Sequence, residues 1–90
     1  MAAYSLFLKA SAAKEIESLP TRGDRTRVVA RIRALSTNPR PPGSEKLAGE
    51  PDRYRVRQGR YRIVYSISDR EKRIEIVRVA HRKEAYRSSS

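Results

Sequence analysis

Apolar and polar positions alternate most clearly along Arg53 to Tyr65, which reads RYRVRQGRYRIVY. Successive side chains of a strand point to opposite faces, so Tyr54 and Val56 share one face and Arg53, Arg55 and Arg57 the other. A tight turn at Gln58-Gly59 predicts a hairpin, after which Tyr61, Ile63 and Tyr65 fall on one face and Arg62 and Val64 on the other. Setting the Tyr/Val/Ile face against a core leaves Arg55, Arg57 and Arg62 as a row on the opposite side.

The rest of the chain supplies what that hairpin packs against. Tyr4 to Lys9 alternates like a first strand, with Phe7 on the face opposite Tyr4, Leu6 and Leu8. Ser11 is an N-cap candidate for a helix to about Leu19, with Ala12, Ile16 and Leu19 on one stripe and Pro20 ending it. Thr21 or Asp24 caps a second helix to about Leu35, whose apolar stripe is Val28, Val29, Ile32 and Leu35. So short a connection predicts an antiparallel helical hairpin. Asn38 to Ser44 (NPRPPGS) is a loop, since its prolines cannot donate to helix or ladder bonds. Glu45 to Glu50 returns Leu47 to the core, and Pro51-Asp52 turns into the arginine hairpin. A longer turn at Asp69 to Lys72 leads to a last strand, Arg73 to Ala80. Both parities of that strand carry apolar residues, which fits a central strand covered on both sides. Arg78 is assigned to the arginine face. His81 to Arg87 is a helical turn or a continuation of the strand; in the second case Arg82 shares the parity of Arg78.

The expected fold is therefore α+β: a small antiparallel sheet of about four strands with the helical hairpin packed on one face. The order is β-α-α-β-β-β plus a short C-terminal helical turn. The first strand should insert into, or lie along, the later meander. Residues 1–87 read as one domain, and 88–90 as a tail.

Charge changes this picture from a fold to a function class. The 90 residues carry a formal net charge of +11, with sixteen arginines against five lysines. Such a charge favours a polyanionic partner. The arginine bias suits phosphate, which the planar guanidinium holds with two bonds. Five arginines lie between Arg53 and Arg62 with no acid among them. The plainer reading of that row is a charged sheet surface that blocks edge-to-edge aggregation. There is no cysteine and one histidine, so no disulfide framework, and no thiolate or zinc site is expected. No cofactor is implied. No apolar run is long enough to span a membrane, and no signal-peptide core is seen; a cytoplasmic protein is expected.

If the polyanion is RNA, cleavage without metal needs a base for the 2′-hydroxyl, positive charge for the crowded phosphate, and an acid for the 5′-oxygen. Arg55, Arg57, Arg62 and Arg82 supply charge. Arginine is a poor proton acceptor. The titratable candidates are Tyr86, His81, Lys83 and Lys46. His81 is the chain's single imidazole but also sits where an imidazole closes a core. Tyr86 is equally a residue that anchors a chain end. Arg53, Arg60 and Arg78 extend the basic surface. Tyr54, Tyr61 and Tyr65 read as core.

From Lys46 to Arg87 the chain resembles the RelE/ParE superfamily of toxin–antitoxin toxins, most nearly its RelE-type mRNA interferases. The resemblance rests on Lys46-Leu47-x-Gly49, Tyr54-Arg55-Val56-Arg57, Tyr61-Arg62-Ile63-Val64-Tyr65 and His81-Arg82-Lys83-Glu84-Ala85-Tyr86-Arg87. It implies a toxin that enters the A site of the 70S ribosome and cuts mRNA by 2′-hydroxyl attack, without metal, and a cognate antitoxin that blocks the site. It implies functional roles for Arg55, Arg57, Arg62, Arg82 and Tyr86. Lysines stand in the RelE-type pattern where this chain has Arg55 and Arg57. The superfamily also holds ParE-like inhibitors of DNA gyrase, a second reading that Arg62 and Tyr86 argue against because that branch usually lacks this set; a catalytically silent RNA- or antitoxin-binding module is the third reading.

Overall fold

The computed structural model describes residues 3–81. Strand β1 (Ser5–Leu8) leads into helices α1 (Ala10–Glu17) and α2 (Arg22–Leu35), followed by β2 (Glu45–Lys46), β3 (Arg53–Gln58), β4 (Tyr61–Ser68) and β5 (Arg73–His81). The strands form one sheet in the order β1-β5-β4-β3-β2. The expected helical hairpin and meander are present. Two features extend the reading: β1 pairs parallel to β5 at one edge, making the sheet mixed, and the two-residue β2 adds a fifth strand at the other.

Local chemistry explains where elements begin. Lys9, not Ser11, is the N-cap of α1. Its N–H donates to the Ile76 carbonyl as the last rung beside β5, and its own carbonyl accepts from Ala13 N–H, both at 3.0 Å. One residue thus ends a ladder and starts a helix, so Ser11 is already inside it. In α2, Thr21 Oγ1 accepts from Asp24 N–H at 3.0 Å, and the Asp24 carboxylate in the first turn suits the positive end of the helix dipole.

The hairpin loop is Gly59-Arg60, one residue later than the sequence reading, because Gln58 pairs directly with Tyr61. Gly59 has φ +61°, the positive φ that a two-residue hairpin loop requires at its first position.

Strand β5 contains a bulge that alternation could not reveal. Val64 lies opposite Arg78, yet Tyr65 lies opposite Ile76, so Val77 is the extra residue. Before the bulge Ile74 and Ile76 face the helices; after it Val79 and His81 do. This reset alone is enough to explain apolar residues at both parities. Simple alternation would put Ala80 with Ile74 and Ile76, and Val79 with Glu75; the bulge exchanges the two.

The core lies between the helices and one sheet face. Ala12, Ile16, Val28, Ile32 and Leu35 meet Val56, Ile63, Tyr65, Ile67, Ile74, Ile76 and Val79. Each fully buried aliphatic here contributes roughly 1.5–3 kcal/mol relative to exposure. The opposite face has no helix over it among the described residues.

Candidate nucleic-acid interface

Strand register arranges the open face in transverse rows. Nearest the hairpin turn, Ala80, Arg62 and Arg57 lie side by side on β5, β4 and β3. The next row is Arg78, Val64, Arg55 and Glu45, and the one after it is Phe7, Glu75, Ser66 and Arg53. The predicted arginine face is therefore real, and Arg78 belongs to it.

Arg57 and Arg62 are direct cross-strand neighbours. Like charges in that position oppose folding, typically by about 0.2–1 kcal/mol against a neutral pair. Arg62 is also only 3% exposed, the one buried charged side chain among the described residues. The Arg62 guanidinium is thus held out of water by contacts within the fold. A guanidinium already desolvated and fixed in place suits an anion.

The remaining arginines differ in availability. Arg55 donates from Nε and Nη2 to Glu45 Oε1 at 3.2 and 3.1 Å, so part of its charge is met internally. Arg78 Nε lies 3.7 Å from Glu15 Oε2, while Glu15 Oε1 accepts the Val79 N–H at 2.8 Å. Glu15 thereby caps the edge of β5 where β1 has ended. Arg53 Nε is buried with no hydrogen-bond partner among the described residues. Arg60 is exposed at the turn. Sequence reasoning missed Glu45 and Glu15; the parity of Glu45 becomes readable only once β2 is known to pair with β3.

Two expected site residues stand elsewhere. His81 pairs with Tyr61 and meets its ring edge-on at a centroid distance of 5.7 Å, on the helix side of the sheet. There it lines a cavity with Lys14, Leu19 and Pro20. Lys46 pairs with Tyr54, which places it on the helix-side parity at the β2 edge. Arg82, Lys83 and Tyr86 lie outside the described residues.

The tyrosines are structural, as their parity predicts. Tyr61 and Tyr65 are buried. Tyr61 OH donates to Asp24 Oδ2 at 3.1 Å; burial first, and then this carboxylate, raises the phenol above its ordinary pKa. Tyr65 OH donates to the Pro39 carbonyl at 2.7 Å, and burial raises its pKa. Tyr54 stacks on Tyr65 and accepts from Arg40 Nε. Arg40 in turn reaches Asp69, which also accepts from Tyr4 OH at 2.6 Å. This clasp pins the proline-rich loop across the end of the sheet opposite the arginine turn.

On the far side of the molecule, Ile16, Val29 and Ala30 floor a groove beside the helices that Arg22, Arg25 and Arg33 rim. Among the described residues no cluster of three or more His, Cys, Asp or Glu is placed to hold a metal, and no helix is long and apolar enough to cross a membrane.

A family model described as ParE toxin of type II toxin–antitoxin system, parDE, matches residues 6–86. The chain belongs to the RelE/ParE superfamily of toxins. This toxin is 31% identical over 84 residues to Toxin RelE of Mycobacterium tuberculosis, spanning 93% of this chain and 87% of that protein. Its fold matches the toxin in the archaeal RelE–RelB complex of Pyrococcus horikoshii with a TM-score of 0.79 at 29% identity, over 89% of this chain and 96% of that one. The isolated RelE toxin of E. coli matches with a TM-score of 0.76 at 27% identity, over 97% and 95% of the two chains. The resemblance read from Lys46 to Arg87 thus holds for nearly the whole toxin.

Proposed function

We propose that this toxin is a ribosome-dependent endoribonuclease that cuts mRNA in the A site by 2′-hydroxyl attack without metal. The observation that carries the reading is the opposed Arg57–Arg62 pair on the sheet face away from the helices, with Arg62 buried. Two arginines side by side would supply the charge that a phosphate gaining negative charge needs. Arg53, Arg55 and Arg78 hold flanking phosphates, and Arg82 is assigned a further one. Among the described residues this face offers cations that do not surrender protons, because arginine stays charged. Proton transfer is therefore assigned to Tyr86 and Lys83, and His81 to supporting Tyr61.

The partner that silences the toxin is a cognate antitoxin. Solved relatives include RelE–RelB complexes, and the groove over Ile16, Val29 and Ala30 with its arginine rim suits an amphipathic, acidic segment.

The test is primer extension on mRNA in a translating bacterial extract, with a ribosome-free control. Wild-type toxin is expected to produce new ends at A-site codons only when ribosomes are present. Arg57→Ala, at an exposed position, should lower the cleavage rate about a hundredfold or more, the usual cost of a lost charge-stabilising donor. Cleavage unchanged in Arg57→Ala overturns the assignment. A folded wild-type protein that yields no ends but blocks DNA supercoiling by gyrase would replace it with the ParE-like activity.

A further inference from the structure

The third row of the open face has a composition that phosphate binding does not explain. Phe7, Glu75, Ser66 and Arg53 lie side by side across β1, β5, β4 and β3. Phe7 points away from the core, since Leu6 packs into it, and it remains 44% exposed. The Arg73 guanidinium lies over the Phe7 ring at 4.2 Å from its centroid. Glu75 sits between buried Ile74 and Ile76 and so projects to the open face, where it makes no ion pair or hydrogen bond with any described residue. A shallow cavity of about 320 Å³ opens there, lined in part by Ser66, Ser68, Arg73 and Glu75.

An unpaired, partly buried carboxylate in a chain of net charge +11 is conspicuous, because sixteen arginines were available to meet it. It also repels phosphate. A nucleobase has the complementary chemistry: a flat π-face for the ring and guanidinium, and polar edges for the carboxylate and hydroxyl. We propose that Phe7, Arg73, Glu75 and Ser66 form a nucleobase subsite, one row beyond the arginines, for a base whose edge presents N–H donors. The base stacks on the Phe7–Arg73 platform. Glu75, an acceptor only, takes hydrogen bonds from the edge, and Ser66 adds a donor or acceptor. Guanine fits best, because its adjacent ring N–H and amino group match the two carboxylate oxygens. Uracil, whose single ring N–H is flanked by carbonyls, fits worst. Phosphates would be held by Arg53 and the rows nearer the turn.

This inference rests on the RNA-binding reading, and the test separates the two. Fluorescence anisotropy is measured with labelled oligouridine and with the same oligomer carrying one central guanosine. The guanosine oligomer is expected to bind wild-type toxin about tenfold tighter, within the range by which a bidentate hydrogen-bonded pair discriminates between bases. In Glu75→Gln and in Phe7→Leu, which keeps the strand apolar, that ratio should fall to near one. Glu75→Gln removes a negative charge and raises affinity for any RNA, so only the ratio is read. A ratio near one in wild type, or one unchanged by both variants while RNA still binds, overturns the subsite and leaves the RNA-binding reading standing. Binding of neither oligomer removes both.

Discussion

Asp69 accepts two hydrogen bonds from Arg40, at 3.2 and 2.8 Å, and one from Tyr4. The Arg40 bonds, and after them the Tyr4 hydroxyl, hold its carboxyl at about 2, below its ordinary 3.8. The same contact raises the Arg40 guanidinium above its usual value, and the Asp69 bond raises the Tyr4 phenol. A carboxyl depressed in the folded state contributes stability above its unfolded pKa and loses it as pH falls through the folded one. The clasp is therefore intact at neutral pH and fails between about pH 4 and about pH 2. Asp69→Asn should unfold at lower urea than wild type at neutral pH, and the two midpoints should converge near the acid end. Midpoints that stay equally separated throughout would show that the carboxylate charge is not what the clasp uses. None of this was visible in the sequence. Arg40 lies in NPRPPGS, where no periodicity says which way a side chain points, and Asp69 is 29 residues away.

At the scale of elements, legibility followed hydrogen-bond regularity. The hairpin faces were readable because strict alternation permits one buried face, and a slip of one residue would have exposed Ile63 and Tyr65. The β5 bulge was not, since an inserted residue leaves no mark except apolar positions at both parities. Nor was β2, whose Glu45 and Lys46 carry no strand propensity and are held by pairing alone. The open face depends on the Gly59 turn, which sets Arg57 against Arg62. A Cβ at Gly59 meets nothing within 4 Å, so substitution there is penalised by the positive φ alone. Gly59→Ala should cost about 1–2 kcal/mol, and Gly59→Asn less, because asparagine tolerates left-handed geometry. Chemical denaturation of the two variants measures the difference. Equal losses would indicate a turn whose strain is relieved by changing type.

Across the whole molecule, composition pointed to a polyanionic partner but could not say how the charge is divided. The structure divides it three ways: an arginine row at the hairpin end, Glu75 and Phe7 with Arg53 and Arg73 at the other end of the same face, and an arginine-rimmed apolar groove behind the helices. The division also separates arginines that bring solution counterions from those that carry their own. Binding to single-stranded RNA weakens with salt by a log–log slope of about −0.7 for each phosphate neutralised, because each cation releases a condensed counterion. Arg55 already has Glu45 at 3.1 Å, and exchanging that carboxylate for a phosphate releases less. Glu45→Gln should therefore tighten RNA binding at low salt and steepen the slope by up to about 0.7, as Arg55 becomes a full phosphate ligand. Anisotropy titrations across a salt series, with Arg57→Ala as the variant that should flatten the slope by a similar amount, read both effects. A parallel shift of the Glu45→Gln line with no change in slope would mean that Glu45 acts only as a distant negative charge, and that Arg55 does not exchange it for phosphate.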